Sequence, residues 1–239
     1  MLTRLFMSAM LRDLAKVLVI LYICSHSWLV HCGDMSQKHA HSGLFEPFDG
    51  KHIAYTLTTA QNALLDSGRS VILDERDERE ATGRGMVIQD IDAPPSICFQ
   101  KIQNVNEYPG MVPKVKATTV YNRTLFPNGT SLNGVEFVVG IPLFTLNYFL
   151  LLAVHPMHST ITWRLDYRYK SDFDDIVGHW QVMPHPHREG WTRLLYSCQI
   201  RLFPWIPKFV VTFFTKSALV DVSSSVFVAS GRFAYFSAS

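Results

Sequence analysis

Val87-Ile-Gln-Asp-Ile-Asp-Ala-Pro-Pro-Ser-Ile-Cys-Phe99 carries a change of period, and the rest of the fold can be read outward from it. Met86 to Ile91 reads as a strand ended by Asp92. Asp92-Ala-Pro-Pro95 then opens a helix, with an acid at the N-cap and prolines in the first turn, where a missing N–H loses no helical bond. Ser96 to Gln103 continues that helix, and Asn106 to Pro113 holds a second, shorter helical turn. Strands follow. Val115 to Tyr121 and Val135 to Ile141 flank Pro, Asn and Gly turn residues, as in a hairpin. Leu143 to Val154 is apolar on both faces, the mark of a buried strand. From Ser159 to Tyr169 the chain alternates, with Ile161, Trp163, Leu165, Tyr167 and Tyr169 on one face and Thr160, Thr162, Arg164, Asp166 and Arg168 on the other. Gly178 to Met183 and Trp191 to Leu202 continue the meander, the last with Leu194, Tyr196, Cys198 and Ile200 on a single face.

After Pro204 and Pro207 the period becomes helical. Ile206, Val210, Phe213, Ser217 and Val220 recur at three or four, which predicts a long helix from about Pro207 to Ser225. The expected class is α+β: a curved antiparallel sheet of about seven strands wrapped around a long C-terminal helix, with two short helices after the first strand.

This order resembles the START-like, helix-grip superfamily, which includes polyketide cyclase/dehydrase and coenzyme Q-binding proteins. The segment 87–99 carries the most specific part of the likeness, a strand delivering Ala-Pro and then a helix with an aromatic at Phe99. Asn104 to Val115, with its Tyr-Pro and later Pro, is similar to the family's second helix. Leu165-Asp-Tyr167, Ser171 to Trp180 and Trp205-Ile-Pro-Lys-Phe209 extend the resemblance over residues 84–228, in the manner of an algal or plant branch. It implies a helix-grip fold that holds a lipid, quinone or other lipophilic molecule between sheet and helix. It transfers no catalytic residue, and only some members of the family are enzymes.

Outside that domain, residues 33–83 read as a polar extension with a short helix from Thr58 to Leu65, and 229–239 as a tail. The acidic and basic run from Asp74 to Glu80 suggests a solvated linker or an exposed helical turn. Residues 1–32 look like an address: Arg4, Arg12 and Lys16 against Asp13, then an apolar stretch from Val17 to Cys24. That is the layout of a signal peptide or signal anchor, so entry to the secretory route is expected, with a mitochondrial presequence as the alternative. The sequons at Asn122 and Asn128 agree weakly with secretion.

With 22 Lys+Arg against 20 Asp+Glu in 239 residues and no basic block, the chain does not have the charge of a nucleic-acid-binding surface. Four cysteines are too few for a disulfide scaffold, and Cys98 and Cys198 read better as buried core thiols than as a pair. Met183-Pro-His-Pro-His187, with His179 ahead of it, is the most metal-like stretch. No cysteine or carboxylate stands at a matching spacing, so it reads as a polar turn. Asp172, Asp174 and Asp175 lack the calcium-loop pattern and read as a turn whose carboxylates bond backbone amides. Asp166 between Arg164 and Arg168 reads as a solvated charge ladder. No metal site and no cofactor is expected.

The expected function is therefore binding of a lipophilic small molecule by a monomer, without catalysis. The expected cavity wall is Ile161, Trp163, Leu165, Tyr167 and Tyr169, Leu194, Tyr196, Cys198 and Ile200, closed by Ile206, Val210, Phe213 and Ser217. This supposes a sheet with one wet face. A cyclase-type enzyme using the same cavity is the alternative. An assembly factor acting through protein or membrane contacts, with Trp205-Ile-Pro-Lys-Phe209 as a peripheral membrane contact, is a third reading.

Overall fold

The computed structural model describes residues 33–77, 82–141, 144–204 and 206. The expected address at 1–32, Trp205, the helix at 207–225 with Val210, Phe213 and Ser217, and the tail at 229–239 lie outside the described residues.

Among the described residues the chain forms one antiparallel sheet of eight strands and three α-helices. Helix α1 (Thr59–Asp66) leads to β1 (Val71–Asp77) and β2 (Thr82–Ile91), which is followed by α2 (Pro95–Gln103) and α3 (Tyr108–Met111). The meander then runs through β3 (Val115–Leu125), β4 (Ser131–Ile141), β5 (Phe144–His155), β6 (Thr160–Leu165), β7 (Phe173–Pro184) and β8 (Thr192–Leu202). The order across the sheet is β1-β2-β8-β7-β6-β5-β4-β3. Successive strands of the meander pair through short turns, as antiparallel neighbours do. One connection does not: α2 and α3 carry the chain from β2 to the far edge at β3, and the meander then walks back until β8 pairs with β2.

The helix after β2 begins as its prolines require, but its N-cap is Pro94, not Asp92, and makes no side-chain capping bond. Proline's fixed φ and the absence of a needed donor suffice to start it there. Helix α1 has the full reciprocal cap: Thr58 accepts from the Gln61 N–H while the Gln61 side chain accepts from the Thr58 N–H.

Three sequence expectations are corrected. Of the run from Asp74 to Glu80, residues 78–80 lie outside the described residues, and Asp74 to Asp77 is neither linker nor helical turn; it belongs to β1, paired with β2 from Val71↔Ile88 to Asp77↔Thr82. Strand β6 stops at Leu165, because Asp166 to Tyr169 closes a turn with the Tyr169 N–H bonded to the Asp166 carbonyl at 3.0 Å. Tyr167 and Tyr169 thus leave the alternation of Ile161, Trp163 and Leu165. Finally, the sheet has no simple wet face. Thr160 and Thr162 are buried, and β7 is buried on both faces from Phe173 to Val182.

The cover is residues 33–57, an irregular strap that is polar in composition yet closely bonded to the sheet. Asp34 and Lys170 exchange backbone bonds, the Leu44 and Phe45 N–H groups donate to Asp175 Oδ2, and the Thr160 hydroxyl donates to the Gly50 carbonyl. The Ile53 N–H donates to Gln181 Oε1 at 2.6 Å. Beyond it Ile53, Tyr55 and Leu57 pack on a second apolar cluster of Leu65, Val71, Ile88 and Leu195. The strap's backbone makes the bonds, and a few apolar side chains supply the burial. This is why composition alone reads the segment as a free extension.

Candidate functional site

The main core lies on the other face of the sheet. Alternation puts Ile161, Trp163 and Leu165 of β6, Leu194, Cys198 and Ile200 of β8, and Ile206 into one buried cluster, with Tyr196 packed against it. Inside it is a cavity of about 100 Å³. It is lined by Tyr108 and Val112, Val115 of β3, Phe137 of β4, Tyr148, Leu150 and Leu152 of β5, Trp163 of β6, Ile176 and Trp180 of β7, and Tyr196 of β8. Strands β3 and β8 are five positions apart in the sheet order. In a flat sheet they would be about 24 Å apart, so both can reach one small cavity only because the sheet curls round it.

Of the residues expected at the wall, Trp163 and Tyr196 line this cavity, with ring centroids 5.5 Å apart and stacked. Ile161, Leu165, Leu194, Cys198, Ile200 and Ile206 are core around it. Tyr167 is carried away by the turn: its hydroxyl donates to Asp175 Oδ1 at 2.7 Å, beside the strap. Tyr169 packs edge-on to Tyr121, with centroids 5.4 Å apart, and against Phe149.

Sequence reasoning missed Tyr108, Phe137, Tyr148 and Trp180. Phe137 stacks on Tyr148 at 5.4 Å and 5°, and Trp180 meets Tyr196 at 4.5 Å. Tyr148 sat in a run apolar on both faces, where alternation cannot say which side turns inward.

The polar chemistry of the cavity is sparse. The Tyr108 hydroxyl donates to the Ile102 carbonyl at 2.6 Å, so it is committed to the fold. The Tyr148 hydroxyl has no hydrogen-bond partner among the described residues, and burial raises its pKa far above the ordinary phenol value. Burial does the same to Tyr196 and pushes the neighbouring Cys198 thiol up to about 12, against the opposing pull of the Tyr196 hydroxyl. A thiol held that high is not a nucleophile at neutral pH. No disulfide joins Cys98 and Cys198, and both are buried. Two hydroxyls on an aromatic wall can orient the polar end of a ligand, and they are poor general acids or bases near neutrality.

The other candidates serve the fold. His185 in the metal-like stretch is buried; its Nδ1 accepts the His187 and Arg188 N–H groups, and its Nε2 donates to Asp90 Oδ2 at 2.9 Å. Arg193 completes that buried group with a two-pronged bond to Asp90, at 2.7 and 2.8 Å. Asp166 is not part of a solvated ladder: it is 1% exposed, held by Arg168 at 2.7 Å and by the Tyr121 hydroxyl at 2.9 Å, while Arg164 is exposed. Asp172 and Asp175 accept backbone amides, as expected of turn carboxylates, but from distant strands and from the strap.

His39, His41 and Asp174 bring three donor atoms within 4.8 Å. Their lone pairs are already used. His41 Nδ1 accepts the Gly43 N–H, which leaves the proton on Nε2, 3.2 Å from Asp174 Oδ1, and Arg201 takes the other oxygen at 3.0 Å. An imidazole protonated at the nitrogen that faces the site donates a bond and does not ligate.

No protein-family model matches the chain, and no curated protein does. Solved structures do. A STAR-related lipid transfer protein from Xanthomonas axonopodis superposes with a TM-score of 0.53 at 11% identity, over 77% of this chain and 100% of that one. A START superfamily protein from Mycobacterium smegmatis superposes with a TM-score of 0.50 at 11% identity, over 66% of this chain and 94% of that one. The fold is START-like. At such identity the likeness is one of fold alone.

Proposed function

We propose that the protein binds a lipophilic small molecule (a lipid, quinone or isoprenoid) in the cavity on the concave side of the sheet, and carries it without changing it. The observation that supports this reading is the wall itself. Tyr148 brings a hydroxyl with no hydrogen-bond partner among the described residues to a cavity lined by aromatic and aliphatic side chains. A ligand oxygen seated there gains a hydrogen bond that fixes its orientation in otherwise apolar surroundings. The START-like architecture raises the expectation of a ligand but does not name one.

The test is extraction of natively purified protein with organic solvent followed by mass spectrometry, together with titration by a fluorescent lipid. A reproducible lipophilic species, lost in a variant whose cavity is filled by Leu152→Phe, is the expected result. A protein that extracts empty and takes up no probe overturns the reading.

We further place the protein on the secretory route, on the charge and apolar pattern of its first residues. Asn122 and Asn128 are exposed on β3 and on the turn after it, where a glycosyltransferase can reach them. A mass shift on glycosidase treatment of protein from the native cell is expected; its absence at both asparagines, with the N-terminus uncleaved, refutes the assignment.

A further inference from the structure

The middle of the strap covers histidines as well as hydrocarbon. His179, at the centre of β7 and 0% exposed, lies under the ring of Phe48, with centroids 5.3 Å apart. Its Nε2 faces Gln181 Oε1 at 3.4 Å, the same oxygen that takes the Ile53 N–H. Its Nδ1 is buried with no partner, and so is the hydroxyl of Ser197, its cross-strand neighbour on β8. On β5, His155 lies directly under Gly50. A Cβ at Gly50 would fall 2.7 Å from its Nε2, and φ of +82° lets the chain pass over the imidazole. Its Nε2 also lies 3.3 Å from the Thr162 hydroxyl. His52 of the strap donates to the His158 carbonyl at 2.7 Å.

We propose that residues 46–57 form a proton-released flap: charging His179 and His155 lifts this part of the strap from the outer face of β5–β8, while residues 34–45 stay attached.

The geometry supplies the asymmetry between the two parts. A proton added to His179 goes to Nδ1, which points at no acceptor, and one added to His155 faces a hydroxyl and a packed backbone. Around them stand His52 and His158, which also repel a new charge once protonated, and Arg84, whose guanidinium lies 5.2 Å from the Phe48 ring. Asp49 favours the charged forms, and it is exposed and paired with Lys51 at 3.0 Å. At the other end His39 and His41 sit against Asp174, with Asp175 holding the Leu44 and Phe45 amides. Asp34 also exchanges backbone bonds with Lys170, so this end is held largely by bonds that involve no imidazole.

Burial holds the His179 pKa down to about 4 and lowers that of His155, to which His158 also contributes. Above about pH 6.5 the imidazoles are neutral whether the flap is down or lifted, and docking is complete. As pH falls through that value the lifted state takes up protons that the docked state refuses. Docking therefore weakens by up to about tenfold per pH unit per histidine, until the docked histidines themselves titrate. Lifting bares part of the apolar surface under Ile53 and Leu57.

Hydrogen exchange of the full-length chain at pH 7.5, 6.5 and 5.5, corrected for the intrinsic rate, tests this. Protection of 46–57 should fall about tenfold or more between pH 6.5 and 5.5, while 34–45 and β5–β8 keep theirs. His179→Phe should flatten the fall, and His155→Gln should flatten it independently if the first variant folds poorly. The proposal is overturned if 46–57 is equally protected at all three values. It is equally overturned if every segment loses protection together, or if both variants keep the wild-type dependence.

Discussion

Gly178 on β7 pairs directly across from Trp163 on β6, and the space its missing side chain leaves is the space the indole occupies. A Cβ at Gly178 would fall 2.0 Å from Cζ2 and 2.1 Å from Cε2 of Trp163, closer than real Cβ contacts come. The indole can therefore lie flat along the sheet, stacked on Tyr196, and form one wall of the cavity. Gly178→Ala should push the ring inward, costing about 1–3 kcal/mol by overpacking. A lowered Tm, a shifted tryptophan emission and weakened probe uptake would appear together. A variant that keeps the parent's Tm and emission would show that the contact is not required.

Two tyrosines on the same wall should answer differently to loss of a hydroxyl. Tyr108→Phe leaves the buried Ile102 carbonyl without its donor and should cost about 1–2 kcal/mol. Tyr148→Phe removes a hydroxyl that bonds nothing in the protein, so stability should stay level or rise while affinity for an oxygen-bearing ligand drops. Chemical denaturation of both variants, with a fluorescent-lipid titration, separates the two roles.

Asp90 of β2 holds Arg193, its cross-strand partner on β8, and His185, with its side chain 1% exposed. Asp90→Asn leaves the buried guanidinium uncompensated and should cost about 3–5 kcal/mol. Replacing both partners, Asp90→Leu with Arg193→Met, should recover most of that loss, because no buried charge then remains. If the double variant is as unstable as the single one, the network contributes more than the pairing of its charges.

Cys198 should be inert in the folded protein. With its pKa pushed up to about 12, roughly one thiol in ten thousand is ionised at pH 8. Iodoacetamide should label it only after denaturation. Ready labelling of the native chain would contradict the burial found here and reopen a covalent role.

The strand-to-helix transition at 87–99, the hairpin of β3 and β4, and the inward faces Ile161–Trp163–Leu165 and Leu194–Tyr196–Cys198–Ile200 were all legible in the sequence. Each rests on a period or on proline, which act over a few residues and need no partner to be read. Tyr167 and Tyr169 show where that reading stops. They continue the alternation in sequence, yet Asp166 ends the strand because its carboxylate finds Tyr121, forty-five positions earlier, and Arg168. The strap shows the same limit. It looks solvated until the carboxylates of Asp174 and Asp175 and the amide of Gln181, on a strand more than a hundred positions away, receive its donors.

What the sequence by itself determined is therefore the class of the fold, the faces of its strands and the aromatic character of the interior, because burial follows from local pattern. Only the tertiary structure decided which aromatics meet at the cavity, that the outer face is covered, and that Nδ1 of His179 lies without a partner beneath the cover. Those depend on how far a sheet curls and on which distant backbone amide a side chain meets. Neither is encoded in the spacing of neighbouring residues.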